Sequence, residues 1–154
     1  MSKEIPASTI KRILIIEDTP NDISYYRSLF HIGKEVHLLF LARESTFTKD
    51  KLVGLIDLIY EDIAPKIANY YVCAEDGLVE FLKTNLFDFY VADSLGGNAI
   101  TLISEVGLSK DIVVFLSSTT SFREVAWDKG YRAYKKENID ELINDCLVEH
   151  PVRK

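Results

Sequence analysis

The sequence predicts a doubly wound α/β domain on a five-stranded parallel sheet. Three observations carry that prediction. Apolar runs recur that are too short for helices and too apolar for exposed strands, such as Ile13 to Ile16; they fit strands buried on both faces. Each run is followed by a helix start. Strand and helix alternate five times, which requires parallel strands joined by right-handed crossovers with helices on both faces.

Taken in order, residues 1–11 read as a frayed lead-in. The first strand spans about 12–17 and ends at Glu17-Asp18. Thr19 as N-cap, Pro20 at the first helical position and Asp22 in the first turn open a helix over about 20–31. Ile23, Tyr26 or Arg27, and Phe30 are spaced for one buried stripe, and Gly33 breaks it. Residues 32–68 read as an insert between the first helix and the second strand. Within it, Val36 to Ala42 could be a strand or a buried helical turn, since periodicity does not separate the two. Leu52, Leu55, Ile56, Ile59 and Ile63 fall at i, i+3, i+4 intervals and predict an amphipathic helix, which Pro65 ends or kinks.

The second strand is expected at 69–74, turning into a helix at Glu75-Asp-Gly77. The third is 87–92, ending at Asp93, with a Ser94-Leu-Gly-Gly-Asn98 loop after it. The fourth is 111–116, ending at Ser117. Ser121-Phe-Arg-Glu124 has the form of a capping box and opens a helix that stops at Gly130. Residues 132–135 form a short fifth strand. The last helix starts at Asn138 and carries Ile139, Leu142, Ile143, Cys146 and Leu147 on one face. Pro151 and a short basic tail follow.

The totals narrow the function. The 154 residues are enough for one domain with a full core. Apolar residues make up 47% and charged residues 27%, with a net charge of −6, which argues against a chain built to grip nucleic acid. The three histidines have no metal-ligand spacing. Cys73 and Cys146 form no CxxC and are expected to be reduced and buried. Met1 to Pro6 lacks the apolar stretch of a secretory leader, and no run approaches the ~20 apolar residues of a membrane span. A cytoplasmic protein without membrane contact is expected.

In a doubly wound sheet, the C-terminal strand ends share one rim. That rim would collect Glu17 and Asp18 from the first strand, Asp93 from the third, Ser117 from the fourth and Lys135 or Lys136 after the fifth. Three carboxylates make a hard-oxygen site suited to Mg²⁺, and an aspartate is a competent covalent phosphoryl acceptor.

These residues resemble the receiver domain of two-component response regulators. The resemblance rests on Ile-Leu-Ile-Ile-Glu-Asp-Thr-Pro-Asn-Asp at 13–22, Phe-Asp-Phe-Tyr-Val-Ala-Asp at 87–93, Ile-Val-Val-Phe-Leu-Ser-Ser at 112–118 and the segment Gly130 to Asn138. It covers roughly residues 11–31 and 69–148. It implies a flavodoxin-like fold of strand order 2-1-3-4-5. It implies that Glu17 and Asp18 hold Mg²⁺ with Asp93 and the backbone carbonyl of Leu95. Asp93 would be phosphorylated by a sensor histidine kinase or a phosphotransfer protein. Ser117 and Lys136 would contact the phosphoryl group, and Tyr134 would be the switching aromatic. With no output domain following, the single domain would act through a downstream protein target.

The chain departs from the pattern in three places. The loop after Asp93 is short, the segment from Gly130 to the lysine is about a residue short and puts Glu137 where the family has proline, and the insert is extra. A non-phosphorylated pseudo-receiver is therefore the alternative. An enzyme is not expected. A phosphatase using Asp93 as nucleophile would want a second acid where Leu95 stands, and Glu17-Asp-Thr-Pro20 would repel a flavin phosphate. The insert's apolar helix is either extra packing or a surface for self-association, as a homodimer, or for a partner.

Overall fold

The computed structural model describes residues 6–148. The expected fraying at 1–5 and the tail around Pro151 lie outside the described residues. From Pro6 onward the lead-in does not fray. Ala7–Thr9 form a 3₁₀ turn, Ala7 and Ile10 are buried, and Lys34 Nζ donates to the Ala7 carbonyl at 2.7 Å.

Six strands form one open, wholly parallel sheet: β1 Arg12–Glu17, β2 Glu35–Ala42, β3 Ile67–Ala74, β4 Phe89–Ala92, β5 Val113–Leu116 and β6 Arg132–Tyr134. Their order is β3-β2-β1-β4-β5-β6. The expected five strands in order 2-1-3-4-5, with 32–68 as an elaboration outside the sheet, are corrected here. Residues 35–42 form the strand beside β1, pairing Ile13 with Val36 and Glu17 with Phe40. The strand predicted at 69–74 is one place further out, at the edge. The reason is visible in the side chains. Val36 to Leu41 are all buried, as a strand flanked on both sides requires, whereas Asn69 to Cys73 are half-buried. The insert thus contributes a whole β–α unit.

Among the described residues, five α-helices and one long 3₁₀ segment cover the two faces. On one face, the 3₁₀ segment Pro20–His31, α1 (Lys49–Ile59) and α5 (Ile139–Cys146) pack Tyr26, Leu29, Leu52, Ile56 and Leu142 onto Ile13, Ile15, Leu38, Val91 and Val114. On the other, α2 (Leu78–Thr84), α3 (Ala99–Val106) and α4 (Thr120–Asp128) pack Leu82, Ile103 and Ala126 onto Leu14, Ile16, Leu39, Tyr90 and Phe115. The helix expected to run to Pro65 stops at Ile59. Leu52, Ile56 and Ile63 from its stripe are spent inside the core, leaving Leu58 and Ile59 on the surface. The expected capping box at Ser121 is displaced, because α4 already begins at Thr120 behind Thr119. No helix among the described residues is long and apolar enough to cross a membrane.

The cysteines form no disulfide, and Cys146 is buried while Cys73, on β3, is half-buried. Burial, helped by the charge of Asp76, pushes the Cys73 thiol up to about 11. Its alkylation by iodoacetamide at pH 8, followed by mass spectrometry, is expected to run at least about tenfold slower than that of a free thiol, because so little thiolate is present.

The chain runs outward from β1 to β3, then crosses back and runs the other way from β4 to β6. The direction reverses between β1 and β4, where such sheets open a crevice at the carboxyl ends of their strands. The ladder extends to this rim. Asp93 N–H donates to the Ile16 carbonyl at 2.9 Å, and Ser117 N–H donates to the Tyr134 carbonyl at 3.0 Å.

Candidate functional site

Glu17 closes β1 and is fully buried. A carboxylate in that position needs every lone pair used. Oε2 accepts from the backbone N–H groups of Asp18 and Thr19, at 2.9 and 3.1 Å. Oε1 accepts from Tyr26 Oη at 2.8 Å and Lys136 Nζ at 3.0 Å. Burial first, and then the neighbouring Asp93 charge, still push the Glu17 carboxyl up to about 8, with Lys136 working against both.

Asp93 sits just past β4 and is 6% exposed. Its Oδ1 lies 2.6 Å from Lys136 Nζ, and its Oδ2 accepts from the Leu95 N–H at 2.8 Å. Burial raises its carboxyl and Lys136 opposes the rise. Lys136 follows β6, and its ammonium is the hub. Besides Glu17 and Asp93 it contacts Asp22 Oδ2 at 2.5 Å. Burial disfavours its charge, but Glu17, Asp22 and Asp93 together hold it above the ordinary lysine value. One ammonium therefore serves three carboxylates. Lys135, the other candidate, is exposed.

Asp18 turns the other way. Its Oδ2 accepts from Arg43 Nη2 at 2.6 Å, and Arg43 Nη1 reaches Glu75 Oε1 at 2.9 Å. Partial burial would raise the Asp18 carboxyl. The hydrogen bond and charge of Arg43 outweigh that and hold it below the usual range. Ser117 is buried, and its Oγ accepts from the Thr119 N–H at 3.1 Å. Asp18, Asp22, Asp93, Ser117 and Lys136 line one open pocket of about 340 Å³, with Gly96 at its lip.

Two expected members sit elsewhere. Leu95 presents its N–H to Asp93, while its carbonyl accepts the Asn98 N–H at 3.3 Å, inside a 3₁₀ turn. The turn holds Leu95 at φ 51°, a left-handed conformation rare for a branched residue. Tyr134 is not among the residues lining the pocket. Its hydroxyl donates to Asp145 Oδ2 on α5 at 2.8 Å, and it packs against the core of that face.

Sequence reasoning missed Asp22 and Arg43 as site residues. Asp22 was legible as a helix-start acid, in the first turn of the 3₁₀ segment. Arg43 follows β2 directly, and nothing pointed to it while the nature of 36–42 was open.

The donor set suits a hard divalent cation. Glu17, Asp22 and Asp93 offer carboxylate oxygens within 4.8 Å of one another. The Lys136 ammonium already lies within 3.0 Å of all three. Asp18, on the open side of the same pocket, is the carboxylate there that pairs with Arg43 instead of Lys136.

No family model and no curated protein matches the chain. Among solved structures it is similar to an uncharacterized protein from Corynebacterium glutamicum ATCC 13032 Kitasato, with 12% identity and a TM-score of 0.40, over 92% of this chain and 98% of that one.

Proposed function

We propose that this domain is a phosphoryl-accepting receiver of a two-component signalling system, with Asp93 as the acceptor. The observation that carries the reading is Lys136 Nζ at 2.6 Å from Asp93 at the base of a pocket that Ser117 also lines. In this reading Lys136 fixes Oδ1, and Oδ2 attacks the phosphorus of a phosphohistidine. The phosphorus–nitrogen bond breaks and the imidazole leaves, taking up a proton. Lys136 and the Ser117 hydroxyl then hold the transferred oxygens. Mg²⁺, held by Asp18 and Asp93, supplies charge neutralisation when bound. In-line phosphoryl transfer needs positioning and electrostatics more than covalent chemistry from the protein, which this set of groups can provide. The donor is a sensor histidine kinase or phosphotransfer protein in the cytoplasm, and the output is a contact with a downstream protein.

Intact-protein mass after incubation with acetyl phosphate and Mg²⁺ is the test. The native chain is expected to gain one phosphoryl group, and Asp93→Asn to gain none. A native chain that keeps its thermal transition and gains nothing overturns the reading.

One observation favours a second reading, a pseudo-receiver that binds partners without being phosphorylated. The carboxylate best placed to take a cation, Asp18, is paired with Arg43 at 2.6 Å. On that reading Asp93→Asn leaves partner binding unchanged.

A further inference from the structure

Arg43 joins three strand ends at the mouth of the pocket. It lies in the loop after β2. One arm of its guanidinium holds Asp18 after β1, and the other holds Glu75 after β3. Glu75 Oε1 is also 3.4 Å from Asn98 Nδ2, in the loop after β4. A Cβ placed on Gly96 would come within 3.5 Å of Arg43 Nη2. The guanidinium therefore lies against the very loop that follows Asp93.

The contact is asymmetric in burial. The Arg43 side chain is 45% exposed, while Asp18 is 13% exposed. Arg43 can swing into water without uncovering core, whereas Asp18 cannot follow it. A guanidinium and a divalent cation cannot share the same carboxylate, because the two positive charges would meet at contact distance. The forked geometry makes the arginine a specific competitor rather than a diffuse charge, since one planar group satisfies two carboxylates at once.

We propose that Arg43 is a latch over the acid pocket: it holds Asp18 in the cation-free protein and must leave before a divalent cation can bind there. The proposal rests on the reading that this pocket takes such a cation. It adds that cation affinity is set by a residue of the inserted β–α unit that contacts neither Glu17 nor Lys136.

Mn²⁺ is the probe, because it shares the oxygen preference of Mg²⁺ and its free form is read directly by electron paramagnetic resonance. Binding is measured without any phosphodonor, on the native chain and on Arg43→Gln, Arg43→Lys and Lys135→Gln. Arg43→Gln is expected to bind Mn²⁺ at least fivefold more tightly. Arg43→Lys, which keeps the charge but cannot bridge Asp18 and Glu75, is expected to gain less. Lys135→Gln removes an exposed charge near the site and is expected to change affinity by less than twofold.

If the native chain binds Mn²⁺ and Arg43→Gln gains nothing, or no more than Lys135→Gln, the latch is overturned and the cation site stands. If neither the native chain nor Arg43→Gln binds, the cation site falls and the latch falls with it. Thermal transitions of the variants, with and without Mn²⁺, establish that each is folded. A larger Mn²⁺-induced rise in Arg43→Gln than in the native chain supports the latch independently.

Discussion

Replacing Lys136 with methionine is expected to destabilise the domain by about 3–5 kcal/mol near pH 8, the range for removing one partner of a buried ion pair. For a chain of this size that corresponds to a fall in Tm of about 10 °C. Methionine has nearly the length of lysine, so the loss is electrostatic rather than a cavity. It leaves Glu17 and Asp93, 0% and 9% exposed in their side chains, facing each other and Asp22 without the ammonium they share. The pH dependence has a definite sign. Glu17 already titrates near 8 with Lys136 lowering it, so without Lys136 its folded-state value rises further. Between the unfolded value near 4.5 and that raised value, the folded state holds a proton the unfolded state has released. Stability therefore falls as pH rises through this window. Urea unfolding at pH 8 and pH 9.5 should show a variant that keeps losing stability above pH 8, where the loss that Glu17 causes in the native chain has ended. A loss below about 1 kcal/mol that is the same at both pH values would show that the cluster is not a buried ionic network.

The second large effect tests the place of the inserted unit in the sheet. Leu39→Ala on β2 is expected to lose about 3 kcal/mol, since Leu39 is fully buried in the core shared with α2 and α3. Val72→Ala on β3 is expected to lose about 1 kcal/mol or less, because that strand is half-buried at the edge. Guanidinium chloride midpoints compare the two. If β2 were outside the sheet, as the five-stranded expectation had it, the ranking would reverse.

Much of the fold was legible because β1, β4 and β5 are short, purely aliphatic or aromatic runs with sharp ends. The acids and hydroxyls that end them were equally legible, since a polar residue at the stop of a buried strand has few structural uses. What escaped was register in the sheet. Val36 to Leu41 looks alike as a buried strand and as a buried helical turn, and only the neighbours on both sides decide. The error propagated to the site. With β2 unassigned, Arg43 had no address, and Asp18 was expected to face a cation rather than a guanidinium. Asp22 escaped for a different reason. An acid in a first helical turn is explained by the helix itself, so nothing in the sequence asked for a second role. The switching role of Tyr134 came from the resemblance alone; its hydroxyl meets Asp145 on α5, the helix after β6, a contact the sequence did not point to.

The reversal of direction between β1 and β4 also governs how the domain folds. Strands β1 to β3 are sequential neighbours and pair locally. β1 meets β4 only across a separation of 76 residues, from Ile13 to Phe89, and such closures are slow because loop entropy is lost before contacts form. The seam between the two halves is where Glu17 meets Lys136, 119 residues away. Until β6 docks, the acids of the first half have no ammonium to face, and they repel one another in open solvent. The polar pocket takes its acids from the first half and the middle of the chain and its ammonium from the segment after β6, so it exists only where the two halves have docked.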